Sequence, residues 1–123
     1  MRFKMERKTE QELKPRVCVV CPGDYGVDFG IVLESHSRDM LTLTEEKIYD
    51  EIPSGYDTYL LHISNIGEGA LRKLRASNSA STIIGFGGCV RCPEDIPEEF
   101  QECADRNYLS TDLIDKIISD KIL

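Results

Sequence analysis

The chain has no apolar run that approaches the ~20 residues of a membrane-spanning helix, and it has no excess of positive charge. Lys and Arg number 15 against 22 Asp and Glu, so the formal net charge is −7. This balance offers no electrostatic footprint for nucleic acid or for an anionic membrane surface. The basic start at residues 1–5 also lacks the apolar segment of a signal peptide. We therefore expect a cytoplasmic protein that binds neither nucleic acid nor membrane.

Tryptophan is absent, and the five cysteines form an odd set that does not suit a disulfide framework. A reducing compartment fits thiols or metal-bound cysteines better than disulfides. The length of 123 residues, with 41% hydrophobic and 30% charged residues, suits one folded domain with a single core. We assign residues 1–14 to a charged N-terminal extension and residues 15–123 to the domain.

Short apolar runs alternate with amphipathic segments from Arg16 to the end of the chain. The predicted strands are 17–21, 40–44, 57–62, 81–86 and 107–109. The predicted helices are 27–35, 45–52, 67–76, a segment ending near 106 in which Asp95 can cap, and a last helix from 113. This alternation predicts a doubly wound α/β domain. We expect a five-stranded parallel sheet of order 2-1-3-4-5 with helices on both faces.

The central part of the chain carries the pattern of a known family. A buried strand at 55–62 ends in His62, a helix opens at 67–75, and a second strand at 82–88 runs into glycines. The segments 104–109 and 113–117 supply a last strand and helix in matching order. Together these motifs resemble a response-regulator receiver domain over residues 16–123. The resemblance implies a flavodoxin-like fold and a signalling role.

The positions that carry the chemistry of receivers depart from the family pattern. Cys21 and Pro22 stand where receivers have the paired acids that hold magnesium, and only Asp24 is nearby. His62 occupies the place of the phospho-accepting aspartate. The remaining departures are Phe86 or Gly87 in place of a hydroxyl residue, and Ser110 or Thr111 in place of a lysine. Since magnesium and phosphoryl transfer need carboxylate oxygens and a countercharge, we expect no aspartyl phosphorylation and no cofactor. These departures favour a non-catalytic module over an enzyme and leave enzymatic activity open.

The expected strand order predicts a crevice at one edge of the sheet. The first and fourth strands flank the third, and parallel α/β sheets bind ligands at the carboxyl ends of their strands. The candidate binding residues there are Cys21, Asp24, His62 and Gly87. His62 has two interpretations: a strand-end histidine hydrogen-bonded to a loop, or a phosphohistidine or metal ligand.

Two CxxC patterns, each followed by proline, offer thiols for metal binding. Cys18 and Cys21 lie three apart on a predicted strand, so they point to opposite faces, and we expect Cys18 in the core. Cys89 and Cys92 lie in a loop, where their sulfurs can meet. Cys21, His62, Cys89 and Cys92 therefore form a candidate zinc or iron set. The alternatives are reduced thiols around a vestigial pocket, or a redox-active Cys89–Cys92 disulfide.

The loop at 21–26 ends a strand and opens a helix, a setting in which backbone N–H groups bind phosphate. Its cysteine makes it similar to the phosphocysteine loop of sugar phosphotransferase B subunits. Asp24 and Asp28 would repel phosphate, and a simple glycine turn is the other interpretation.

Three functions follow from these patterns. The first is a non-catalytic receiver-like module that binds another protein, or a second copy of itself, through its last two helices and fifth strand. The second is a metal- or redox-responsive domain that uses the cysteines and His62. The third is a small phosphocysteine enzyme. We adopt the first as the working hypothesis.

Overall fold

The computed structural model describes residues 14–21, 37–45, 47–87 and 93–108. The strands in these ranges are β1 (Arg16–Val20), β2 (Asp39–Leu43), β3 (Thr58–His62), β4 (Thr82–Phe86) and β5 (Arg106–Tyr108). The α-helices are α1 (Ala70–Ser77) and α2 (Glu98–Cys103), with 3-10 turns at Ile63–Asn65 and Pro93–Asp95. The predicted helix at 27–35, the last helix and residues 1–13 of the predicted extension lie outside the described residues. In the described ranges, no helix is long and apolar enough to cross a membrane.

The five strands form one parallel sheet of order β2-β1-β3-β4-β5. Strand β3 lies at its centre, with Leu60 paired to Val19 of β1 and to Ile84 of β4. Strands covered on both faces are rich in apolar residues along their whole length, and β1, β3 and β4 have this composition. The predicted fold class and strand order are therefore confirmed as a flavodoxin-like α/β topology.

Both faces of the sheet are buried. Side chains alternate along each strand, and one face packs on α1 and α2 in a cluster that includes Cys18, Tyr59, Leu71, Ile83 and Phe100. Residues on the other face are fully buried as well, namely Val17, Val19, Leu60 and Ile84. Burial of each such aliphatic or aromatic side chain contributes about 1.5–3 kcal/mol, so packing on the two faces of the sheet is a large source of apolar stabilisation.

Arg75 joins α1 to the elements that follow it. Its Nε donates to the Cys103 carbonyl at 3.0 Å, and Nη1 donates to the Ser81 carbonyl at 2.8 Å. Nη2 lies 2.8 Å from Asp105 Oδ2, which also accepts the Ile83 backbone N–H at 2.7 Å. One guanidinium thus connects the start of β4 with the end of α2, and it orients α2 relative to the sheet.

The predicted helix at 45–52 is wrong. In the described part of this segment the chain is irregular, and Tyr49 forms a parallel bridge with Ile66. The Tyr49 N–H donates to the Asn65 carbonyl, and the Gly67 N–H donates to the Tyr49 carbonyl, both at 2.8 Å. Tyr49 is buried in the core. Pairing with the loop after β3 therefore replaces helix formation, because tertiary contacts outweigh the local helix propensity of this segment.

Both described helices begin later than predicted. Helix α1 starts at Ala70 because Gly67 is held by the Tyr49 bridge and Gly69 adopts a left-handed conformation, with φ of +84°. Helix α2 starts at Glu98 with Pro97 as its N-cap residue, so Asp95 belongs to the preceding 3-10 turn and is not the cap of α2. These starts set the gap between the end of β3 and the start of α2.

Candidate functional site

The carboxyl ends of β1, β3 and β4 bring three of the predicted residues to one edge of the sheet. Cys21 directly follows β1 and continues its ladder, because its N–H donates to the Leu43 carbonyl at 3.0 Å. His62 is the last residue of β3, and Gly87 follows β4. Asp24, Cys89 and Cys92, the other predicted site residues, lie outside the described residues. We call the group of Cys21, His62 and Gly87 the strand-end site.

The imidazole of His62 packs against neighbouring residues and is largely shielded from solvent. It lies on the sheet face opposite α1 and α2, and the residue is only 6% exposed. Its ring meets Phe86 edge-on, with centroids 5.4 Å apart and an interplanar angle of 82°. The backbone of Gly87 closes the other side, since a Cβ on Gly87 would lie 2.5 Å from His62 Cδ2 and 2.8 Å from Nε2. The glycine after β4 thus makes room for the histidine ring.

The local environment keeps this imidazole neutral. Burial lowers the pKa of His62 below its ordinary value of 6.5, and a side-chain hydrogen bond with Asn65 offsets part of that shift. Asn65 is itself held in place by donating from Nδ2 to the Lys47 carbonyl at 3.1 Å. A neutral ring in contact with Phe86 fits a packed core group, and it gives no countercharge for an anion.

We expect the stability of the protein to fall on mild acidification because of His62. Since the pKa of His62 is lower in the folded state than the 6.5 of the exposed group, the unfolded chain takes up the proton first. Stability present above about pH 6.5 is then lost as the pH falls, until the folded state is also protonated. Urea unfolding of wild type and His62→Gln over about pH 5–8 measures this effect. In wild type, the free energy of unfolding should change with pH by up to about 1.4 kcal/mol per pH unit more than in the variant. An equal pH dependence in the two proteins would contradict the prediction.

Cys21 is an unreactive thiol in this structure. It is 1% exposed, and burial raises its pKa to about 11. Cys18 is fully buried in the cluster under α1, where burial raises its pKa to about 12. Both are free cysteines, and the full burial of Cys18 confirms the prediction that it is a core residue. A thiol of this kind has to lose its proton at a cost before it can attack phosphorus or bind a metal.

We expect neither Cys18 nor Cys21 to be alkylated by iodoacetamide in the folded protein. With a pKa of about 11 for Cys21, about one molecule in a thousand carries the thiolate at pH 8, and burial blocks access as well. Cys103, which is partly exposed, is the internal reference and should be labelled first. Peptide mapping by mass spectrometry, before and after unfolding in guanidinium, measures the three rates. Fast labelling of Cys21 in the folded state would support phosphocysteine chemistry.

The strand-end site does not fit the magnesium site of a receiver. Magnesium requires hard oxygen ligands in octahedral geometry, whereas sulfur and imidazole nitrogen stand at the ends of β1 and β3. Among the described residues there is no group of three or more His, Cys, Asp or Glu side chains that could hold a metal ion. Of the predicted zinc or iron set, only Cys21 and His62 fall in the described ranges, at the ends of neighbouring strands.

Two features of this region have no counterpart in the sequence analysis. The first is the packing of His62 against Phe86 and Gly87, for which the only signal was a glycine directly after an apolar strand. The second is a cavity of about 350 Å³ between the segment after β3 and the start of α2. No motif signals this cavity, because it depends on where the two segments meet in space.

Comparison with protein-family models, with curated proteins and with solved structures yields no match for this chain. The strand order is therefore the basis on which the chain is similar to flavodoxin-like domains.

Proposed function

We propose that this chain is a non-catalytic receiver-like module that acts by binding another protein. The observation that carries the proposal is the buried, neutral His62 at the end of β3, the position at which a receiver has its phospho-accepting aspartate. The order β2-β1-β3-β4-β5 makes the two positions comparable. Phe86 and Gly87 pack directly on the ring, so the described residues at this strand end offer a transferred phosphoryl group a closely packed imidazole and no carboxylate.

The surface of α2 and β5 supports a role in protein contact. Glu98, Gln101 and Glu102 are exposed on α2, and Arg106 is exposed on β5. Receivers commonly present the corresponding elements to their partners. The net charge of −7 favours a partner with a basic surface. A homodimer is the alternative, and sedimentation of the purified chain distinguishes it from a monomer that binds a different protein.

We expect no phosphoryl group on this chain after treatment with acetyl phosphate or phosphoramidate in the presence of magnesium. Acetyl phosphate donates to receiver aspartates and phosphoramidate donates to histidines, so the two reagents test both acceptors. Intact-mass spectrometry measures the modification, a catalytically active receiver serves as the positive control, and His62→Gln assigns any label to the histidine. A stoichiometric aspartyl or His62 phosphate would overturn the proposal.

Photo-crosslinking tests the protein contact itself. A photoreactive residue at Gln101 on α2 should give a crosslink to a second protein in the cells of origin, whereas the same residue at Ser54, in the loop before β3, should not. Equal crosslinking from both positions, or none from either, would count against α2 as a contact surface.

The metal- or redox-responsive function and the phosphocysteine enzyme have less support. The phosphocysteine enzyme and the metal set both use the Cys21 thiolate, and burial raises the pKa of Cys21 to about 11. The redox alternative uses Cys89 and Cys92, which lie outside the described residues. Elemental analysis of protein purified without chelators is the decisive measurement. Stoichiometric zinc or iron, lost in Cys21→Ser and His62→Gln, would replace the proposed module with a metal-dependent one.

A further inference from the structure

A groove lies between the segment that follows β3 and the start of α2. Its volume is about 350 Å³, close to the lower end for sites that take a small ligand or a few side chains. Ile63, Ile66 and Glu68 line one wall, and Pro97, Glu98, Glu99 and Phe100 line the other, with Arg72 of α1 between them. We call this the β3–α2 groove.

The floor of the β3–α2 groove is apolar. Ile63 and Phe100 are 7% and 2% exposed, and Ile66 is half-buried. An apolar side chain that enters the groove would therefore meet hydrophobic partners on its floor.

The rim of the groove carries carboxylates that differ in their bonding. Glu99 is occupied, because its Oε2 accepts the Gly69 N–H and its Oε1 accepts the Arg72 N–H, both at 3.2 Å. These bonds satisfy the start of α1, which has no side-chain cap of its own. Glu68 and Glu98 are exposed, and neither forms a salt bridge with a described residue. Glu68 and Glu98 thus lack a basic partner among the described residues, while the Glu98 side chain lies within hydrogen-bonding range of Glu102 on the same helix.

The walls are held together before anything binds. The Arg72 guanidinium, which could neutralise the rim, is instead paired with Glu102 at 2.9 Å. That pair and the Glu99 hydrogen bonds both join α1 to α2. A groove that is formed in advance requires less ordering when a partner binds.

We infer that the β3–α2 groove binds a positively charged peptide segment of a partner protein. One apolar side chain of the segment enters between Ile63, Ile66 and Phe100, and flanking Lys or Arg residues pair with Glu68 and Glu98. Two carboxylates without a basic partner among the described residues, together with the net charge of −7, favour a cationic segment and repel an acidic one or an anionic membrane surface. This inference rests on the proposed function, because it names the surface and the partner chemistry of the interaction module.

An array of amidated pentapeptides tests the groove. Each peptide has a central Leu, Ile, Met or Phe flanked by Lys and Arg, and two control arrays replace either the basic residues by Glu or the apolar residue by Gly. We expect binding to the first array only. The best-bound peptide is then labelled and titrated by fluorescence anisotropy, and its affinity should weaken as the ionic strength rises.

Matched charge reversals assign the site. Glu68→Lys combined with Glu98→Lys should weaken peptide binding by about tenfold or more. Glu45→Lys combined with Glu51→Lys makes the same change in net charge on other exposed carboxylates and should leave the affinity within about threefold of wild type. Circular dichroism checks that both variants fold.

Two results would overturn the inference: no binding to the basic array, or equal weakening by the two double variants. In either case a Gln101 crosslink and the absence of phosphorylation would leave the proposed module standing. Conversely, a phosphorylated chain would remove the proposed function whatever the peptide titration shows, so the two failures can be told apart.

Discussion

Replacing Gly87 by alanine is expected to lower the free energy of unfolding by about 2–5 kcal/mol. Two effects combine at this position. Gly87 has a φ of +73°, a left-handed conformation that costs an L-residue about 1–2 kcal/mol. The new methyl group would also lie 2.5 Å from His62 Cδ2, and such overpacking costs about 1–3 kcal/mol. Urea or guanidinium unfolding followed by circular dichroism measures the change.

Gly55 provides the matched control. It has a φ of +93°, but a Cβ there would have no neighbour within 4 Å. Gly55→Ala should therefore cost only the backbone strain, about 1–2 kcal/mol. In a His62→Ala background, the loss of stability caused by Gly87→Ala should fall to about that of Gly55→Ala, because the clash with the His62 ring has been removed. Two results would contradict the closed packing around His62. One is a loss of stability in Gly87→Ala no larger than that in Gly55→Ala, and the other is an equal loss from Gly87→Ala with and without His62→Ala. Either result would leave room for phosphorylation at this strand end.

Replacing Phe100 by alanine is expected to cost about 3–5 kcal/mol. Phe100 is 2% exposed, and its ring lies over the backbone of β4, since a Cβ on Gly85 would be 2.6 Å from Phe100 Cδ1. Helix α2 has only six residues, and a helix of that length depends on tertiary packing for its stability. Loss of the ring should therefore free α2 from the sheet as well as leave a void.

Thermal unfolding and hydrogen exchange of the amides in α2 measure this effect. The control is Gln101→Ala on the next residue, which is exposed and loses only its hydrogen bond to the Ile96 carbonyl, so it should change the stability by about 1 kcal/mol. A Phe100→Ala variant with a loss below about 1 kcal/mol would show that α2 is not held by this contact. It would also remove the basis for a preformed β3–α2 groove.

The two variants bear on different parts of the functional account. Gly87→Ala probes whether the end of β3, the proposed counterpart of the receiver aspartate, is filled and closed. Phe100→Ala probes whether the groove floor belongs to the rigid core. If the protein tolerates Gly87→Ala but not Phe100→Ala, the proposed contact surface remains supported. The strand-end site would then be open enough to be reconsidered as a reactive site.

Most of the sheet could be predicted because its signal is local. The segments around Val19, Leu60 and Ile84 are continuous apolar runs, and only a strand covered on both faces requires such composition. The predicted limits of these strands differ from the observed ones by a residue or so at each end. The position of His62 at a strand end follows from that prediction, whereas its pairing with Phe86 and its contact with Gly87 depend on the register and packing of the sheet.

The segment before β3 could not be predicted because its structure depends on distant residues. Residues 45–52 have helix-forming composition, yet Tyr49 pairs with Ile66 and lies in the core. The start of α1 depends in the same way on Glu99, which is 30 residues from Gly69 in the chain. Local propensity is weak enough to be overridden by such contacts.

The chemical nature of the strand-end site could be predicted only in part from the sequence. The residue types alone allowed a metal ligand or a nucleophile as well as a packed histidine and a core thiol. Burial distinguishes these cases, because it lowers the pKa of His62 and raises that of Cys21. Burial depends on what packs against a side chain, and this information is not contained in the spacing of residues.

The amino-acid order thus determined the parallel α/β sheet, the edge at which Cys21, His62 and Gly87 lie, and the presence of a histidine at the end of the third strand. Periodicity and residue type are properties of the chain itself, and they suffice for these conclusions. Packing in three dimensions decided that the His62 ring is enclosed and that Glu99 of α2 accepts hydrogen bonds from the start of α1. It also decided that a groove with Glu68 and Glu98 at its rim opens beside α2. These features arise from contacts between segments that are far apart in the chain, which have no signature in either segment alone.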